Sequence, residues 1–343
     1  MDKAESIRET TIYQRLTREG YEPLKVMDDE FELARREDGC CHFLQDSLCG
    51  IHSEKGVAAK PSVCQLYPFS LVSTPDGYYV SVAFTCPAVI SGHGPAVHSH
   101  ESSLRETVVD APHFFPPELV PGRQVTLAKE SVTDWDEYKV FEAKLLASLE
   151  KEKDVVQTLL WAAATILSDS WQSETFPSRR AEQLKQGLEN MLVLFVTNCI
   201  ASLEEKANPE KRAEFADSLA YGGLVKSNIL GATAPQYEPG SDRCQLTSNV
   251  LGRYVKNKIW GKILLTGPTL AVRLLLLAVS VEILVYYYNA KRELHSVLHF
   301  DSELLEWSLD LIETDFLVHH ELFMPLMVEW ENVGTQLVSA INS

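Results

Sequence analysis

Apolar positions along the chain fall into two textures that change near residue 130. After that point they repeat at helical spacing. Tyr138, Phe141, Leu145 and Leu149 recur at steps of three and four, with Thr133 or Asp134 ahead of them as a cap. Val155, Leu159 and Ala162 begin a second helix behind Asp154, and Leu184, Leu188, Met191, Phe195 and Cys199 mark a third. Leu305, Leu309, Ile312 and Phe316 form another stripe, preceded by Asp301 and Ser302. Together with an apolar stretch around 270–290 these predict a helical bundle. Before residue 130 short extended runs and turn formers dominate. "GYYVSVAF" at 77–84 reads as a strand entered from the turn "TPDG", and "PHFFPPELVPGRQ" at 112–124 reads as an irregular connector. "EEKANPEKR" and "EPGSDRC" read as bundle loops.

The stretch 263–292 is dense enough in Leu and Val to be weighed against a membrane span. Gly267-Pro268, Arg273 and Glu282 interrupt it, leaving Leu274 to Val281 as its longest apolar run. A span needs about 20 largely apolar residues and tolerates central charges badly. A buried helix is the better reading.

Size and charge narrow the class. The 343 residues allow more than one domain and a sizeable core. A net charge of −17 with no basic stripe excludes a large nucleic-acid footprint. The charged start "MDKAESIRETTIYQRLTREG" lacks the apolar segment of a secretory signal. A soluble acidic protein of the cytoplasm, without membrane partners, is expected.

Cysteine is the candidate chemistry. The chain has seven, and Cys40, Cys41, Cys49, Cys64 and Cys86 lie in one stretch. In a reducing compartment such clustering points to metal or redox chemistry before a disulfide framework. From Cys41 the spacing is C-x7-C-x14-C-x21-C, which matches neither zinc knuckles nor bacterial ferredoxins. The surroundings say more: Gly39, Gly50, Pro68 and Pro87 punctuate the sulfurs as metal-binding loops require. Four thiolates would suit zinc or an iron–sulfur cluster. Few periodic apolar residues between 35 and 70 offer another way to hold this region together. Cys199 lies on an apolar helical face and reads as core, and Cys244 as a loop thiol.

"GCCHFLQDSLCGIH", "KPSVCQLYPF" and "FTCPAV" together resemble the cysteine-cluster family of zinc- or iron-chelating proteins, nearest its flagellin lysine-N-methylase-like branch. The resemblance rests on Cys41, Phe43, Leu44, Leu48, Cys49, Ile51 and His52, then Pro61, Cys64, Tyr67 and Pro68, then Cys86 and Pro87. The family's upstream C-x2-C-x2-CC group has no counterpart before Cys40. That leaves Cys41, Cys49, Cys64 and Cys86 as a four-ligand set, with Cys40 spare. The resemblance implies a zinc ion or a [4Fe–4S] cluster, S-adenosylmethionine as a methyl donor, and a flagellin-like protein substrate methylated on lysine. No glycine-rich nucleotide loop is present in the sequence to support the methyl donor.

The expected architecture is mainly α: a small irregular or mixed cysteine-rich metal-binding module over 1–125, followed by a helical domain over 126–343. Two functions are carried forward. One is a metalloenzyme that methylates a partner protein; the other is a non-enzymatic zinc- or iron-binding structural or interaction protein. His52 shares the cysteine element and is a candidate ligand or supporting residue. His93, His98 and His100 read as incidental to a surface loop, and His319-His320 as a helix end.

Overall fold

The computed structural model describes residues 3–27, 30–46, 48–110, 118–152, 154–172, 179–205, 208–240, 250–317 and 322–342. These are mostly helical, with four small two-stranded sheets among the described residues. The chain forms two compact units that interleave in sequence. Unit 1 comprises Met1–Phe69 and Ala96–Phe115, and unit 2 comprises Ser70–Pro95 and Pro116–Ser343.

Unit 1 is built from short pieces. Helices Lys3–Arg8 and Thr11–Arg18 contribute Ile7, Ile12 and Leu16 to one small apolar cluster. Phe43 and Ile51 complete it from the cysteine-rich stretch. The Thr11–Arg18 helix is capped by Thr10 through the Tyr13 N–H, and from outside by a carboxylate. The N–H groups of Thr11 and Ile12 donate to Glu54 at 2.6 and 2.9 Å, so helix Gly50–Lys55 closes the end of its neighbour. Strands Leu24–Met27 and Glu30–Leu33 pair antiparallel, as do the very short Leu44–Gln45 and Leu48–Cys49.

Unit 2 is organised around the helix Leu270–Leu294, started by Thr269 through the Val272 N–H. Helices Val155–Leu167, Arg179–Glu204, Ser302–Asp310 and Met324–Asn342 pack on it. It is long and apolar enough to cross a bilayer, yet its most apolar 18-residue window is wholly buried within the unit. Its two interrupting charges are buried as well. Arg273 donates to the Thr266 carbonyl, and Glu282 is 1% exposed.

The helix starts follow the caps written in the sequence. Asp134, Asp154 and Asp301 each accept from the second and third N–H groups of the helix that follows. At the first of these starts Asp134 is the cap, while the neighbouring Thr133 hydroxyl donates to Glu137. The Leu305–Phe316 stripe is not one regular helix, because after Asp310 the turn widens to a π-helical stretch over Leu311–Phe316. Residues 77–82 form the expected strand, paired with Phe69–Thr74. Positions 112–117, Cys244 and His319-His320 lie outside the described residues.

The structure does not bear out the expected metal-binding module. Among the described residues no group of three or more His, Cys, Asp or Glu side chains could hold a metal ion. The cysteine-rich stretch is instead held by packing. Its scarcity of apolar residues between 35 and 70 is made good by Ile7, Ile12 and Leu16, which come from outside that window.

Candidate functional site

Each predicted ligand has a separate local reason for its place. Cys40 closes a tight turn: the Arg36 N–H donates to its carbonyl at 2.8 Å, and its own N–H donates to Asp38 at 2.9 Å. Gly39, at φ 80°, supplies the left-handed backbone this turn requires. Cys41 bridges antiparallel to Arg35, and Cys49 ends the strand Leu48–Cys49. Both lie half-buried against the Ile7–Phe43–Ile51 cluster, where thiols act as small hydrophobes. Cys64 sits on the short helix Ser62–Leu66. Cys86 belongs to unit 2, where it precedes helix Pro87–Ser91 and accepts from the Val89 and Ile90 N–H groups.

The glycine and proline punctuation therefore has other causes than a metal. A Cβ on Gly50 would lie 2.4 Å from Ile12 Cδ1, so glycine there permits close helix packing. Pro87 occupies the first helical position, where its missing N–H costs nothing.

Cys41, Cys49 and Cys64 remain electrostatic neighbours. Burial pushes the Cys41 thiol up, and a thiolate at Cys49 would push it further. Cys64 is raised by burial first, then by Cys41 and Cys49, against a lowering influence of Lys60. Cys41 and Cys49 are also linked through the backbone. Leu44 lies opposite Cys49 in register, and its N–H donates to the Cys41 carbonyl at 3.0 Å. All five N-terminal cysteines are free thiols. Cys199 is fully buried, with its thiol raised by burial alone.

Of the histidines, His52 is exposed on its helix, and His93 and His98 are exposed. His42 packs on the Tyr21 ring and His100 on the Phe69 ring, at 4.8 and 4.9 Å between centroids.

Unit 2 holds chemistry that the sequence reading passed over. Lys262 has no exposed surface, and its backbone is left-handed at φ 62°. Its ammonium donates to Glu142 at 2.5 Å, and the other Glu142 oxygen accepts from the Tyr138 hydroxyl at 2.6 Å. The rings of Tyr79, Trp260 and Trp135 surround the ammonium at 3.6, 5.3 and 5.8 Å. Burial lowers the lysine's pKa, and Glu142 opposes that shift. Glu142 and Lys262 are 120 residues apart, so no periodic signal joins them. The one local hint was a polar residue four positions after Tyr138 on an otherwise apolar face. A second buried carboxylate, Glu204, accepts from Ser227, Tyr287 and the Asn228 and Ile229 N–H groups, and thereby anchors the turn after Lys226.

Neither zinc nor a [4Fe–4S] cluster has a ligand set among the described residues. The family resemblance fails with it, since lysine methylation, S-adenosylmethionine and a flagellin-like substrate rested on that resemblance alone. No family model matches the chain, and no curated protein or solved structure matches it either.

Proposed function

We propose that unit 1 is a thiol–disulfide module, and that this chain is a redox-responsive protein of a reducing, cytoplasmic environment. The observation that carries this reading is the placement of Cys41 and Cys49. Both are free, both are half-buried on one small cluster, and Leu44 joins them from both sides. Free, half-buried thiols that are electrostatic neighbours of one another favour exchange chemistry over a purely packing role.

The reaction needs an oxidant, and a small disulfide such as oxidised glutathione supplies one. A thiolate of the pair attacks one sulfur of that disulfide and expels the first glutathione thiolate. The second protein thiolate then attacks the mixed disulfide, closes the protein S–S bond and expels the second. Two electrons pass to glutathione, and the two protons leave with its thiols. Burial keeps Cys41 and Cys64 protonated at neutral pH, so the step accelerates as pH rises. Cys64 is the alternative partner, and Cys86 takes no part.

Cleavage after Arg36 and Lys55 gives a peptide, Glu37–Lys55, that contains Cys40, Cys41 and Cys49. After oxidised glutathione and then iodoacetamide, that peptide is expected by mass spectrometry to carry one alkyl group in place of three. Dithiothreitol should restore the other two. In Cys40→Ser the internal bond should persist, and in Cys49→Ser it should be lost. Full alkylation of all three cysteines after oxidation would overturn the reading.

A further inference from the structure

Arg35 and Cys41 face each other in an antiparallel bridge of unit 1. The His42 N–H donates to the Ala34 carbonyl at 3.2 Å, and the Arg36 N–H to the Cys40 carbonyl at 2.8 Å. Those bonds flank the bridge and make Arg35 and Cys41 a non-hydrogen-bonded pair, whose side chains leave one face of the ribbon close together. Arg35 is exposed and Cys41 half-buried, so a cation stands at the surface beside a sulfur that lies just beneath it. A second cation, Lys60, precedes Cys64 by four residues. The Gln65 side chain fixes that turn by donating to the Lys60 and Ala58 carbonyls at 2.7 and 3.0 Å. Lys60 and Arg35 both bear on Cys64, and Arg35 on Cys41 as well.

Among the described residues neither cation is in an ion pair. The nearby acids are engaged elsewhere: Asp38 accepts from Arg36, Glu9 from Lys55, and Glu54 from the Thr11 and Ile12 N–H groups. Glu37 and Asp46 are exposed, and neither is among the strongest influences on Cys41 or Cys64. By its net charge of −17 the chain as a whole favours a cationic reagent. Beside these sulfurs that preference is reversed. Arginine offers a carboxylate a planar fork of donors, and lysine offers it a point charge.

We propose that unit 1 takes its oxidant as an anionic disulfide of the glutathione class, with carboxylates of that disulfide against Arg35 and Lys60. The inference rests on the thiol chemistry proposed above and names the reagent which that chemistry uses. In its first step a bond forms between a protein sulfur and the near sulfur of the disulfide as the disulfide's own bond breaks. The departing half leaves as a thiolate and takes up the proton that the protein thiol released.

Three disulfides serve as probes on the full chain: oxidised glutathione, which is anionic, hydroxyethyl disulfide, which is neutral, and cystamine, which is cationic. The rate at which each closes the internal bond of the Glu37–Lys55 peptide is divided by its rate with N-acetylcysteinamide, which cancels the differences between leaving groups. An exposed ion pair is worth up to about fivefold, so two should set glutathione about tenfold above cystamine. Arg35→Gln with Lys60→Gln should abolish that lead, while Arg35→Lys, which keeps the charge, should retain most of it. About 1 M salt, where the Debye length is about 3 Å, should level the three reagents. Equal normalised rates, or a lead that survives in the double variant, would overturn the anionic-disulfide assignment and leave the thiol reading standing. Failure of all three to close the bond, while N-acetylcysteinamide reacts, would overturn the thiol reading and this inference with it. The comparison of glutathione with cystamine on the unmodified protein needs no variant to fold.

Discussion

The two units solve the same problem with very different means. Unit 2 buries a continuous core around an apolar helix and can therefore hold ions inside it: Lys262 with Glu142, and Glu204 with its four donors. Unit 1 closes around one small cluster of five buried apolar side chains, and its ion pairs Arg36–Asp38 and Lys55–Glu9 lie toward the surface. Each fully buried aliphatic or aromatic side chain contributes about 1.5–3 kcal/mol, so the larger core has stability to spare for desolvating charge. The smaller one does not, and its half-buried thiols are correspondingly reachable by reagents. The contrast teaches that reactive groups belong where the core is thin.

Breaking the buried pair should give the largest effect. Glu142→Ala leaves the Lys262 ammonium enclosed by aromatic rings without a counter-charge, and about 3–5 kcal/mol of stability should be lost in urea unfolding. A loss below about 1 kcal/mol would mean that the lysine swings out to water. In unit 1, Phe43→Ala should cost about 3 kcal/mol, at the lower end for a buried phenylalanine in a cluster able to collapse. Amide exchange should then accelerate across residues 3–66 while the Leu270–Leu294 helix stays protected. Uniform loss of protection would show that the two units unfold as one.

Alkaline pH sharpens the comparison from the other side. Burial raises the Tyr138, Tyr254 and Tyr287 hydroxyls well above their usual 10.0. Above pH 10 the folded chain therefore holds protons that the unfolded chain has released, and stability falls as pH rises. Lys262 is shifted the opposite way, lowered from 10.5, so below that value the unfolded chain binds the extra proton and stability rises with pH. Burial raises Tyr79 and Tyr286 in the same direction, so against the one lowered lysine the net slope is negative above pH 10. Tyr138→Phe should flatten it, as read from urea midpoints between pH 8 and 11; an unchanged slope would clear Tyr138 of responsibility.

The smallest effect should come at the surface of unit 2. Hydrogen bonds from Lys139 and Thr74 bring Asp76 down to about 2, against a raising effect of burial. Its stabilisation is present above 3.8 and is lost as pH falls toward 2. Because this carboxylate is about a third exposed, Asp76→Asn should cost under about 1 kcal/mol at neutral pH.

What the sequence disclosed, it disclosed locally. Asp134, Asp154 and Asp301 announce their helices because a cap and its helix are adjacent in the chain. The Leu270–Leu294 helix reads as buried because Arg273 and Glu282 mark it. Long-range pairing left no such trace. Lys262 follows Trp260-Gly261 with nothing to suggest Glu142, and Gly50 carries no sign that Ile12 presses against it. The metal reading erred for the same reason. Glycines and prolines beside sulfur look alike whether they serve a ligand loop, a helix start or a close contact, and only the partners, remote in sequence, tell these apart.

Lys262 also makes the protein its own reporter of opening. Amine-reactive labels reach the exposed lysines at once, but an ammonium walled in by Tyr79, Trp135 and Trp260 is acylated only in molecules that have momentarily come apart there. The labelling rate of that single position thus counts excursions of unit 2 from its native state, without denaturant and without an engineered reporter group.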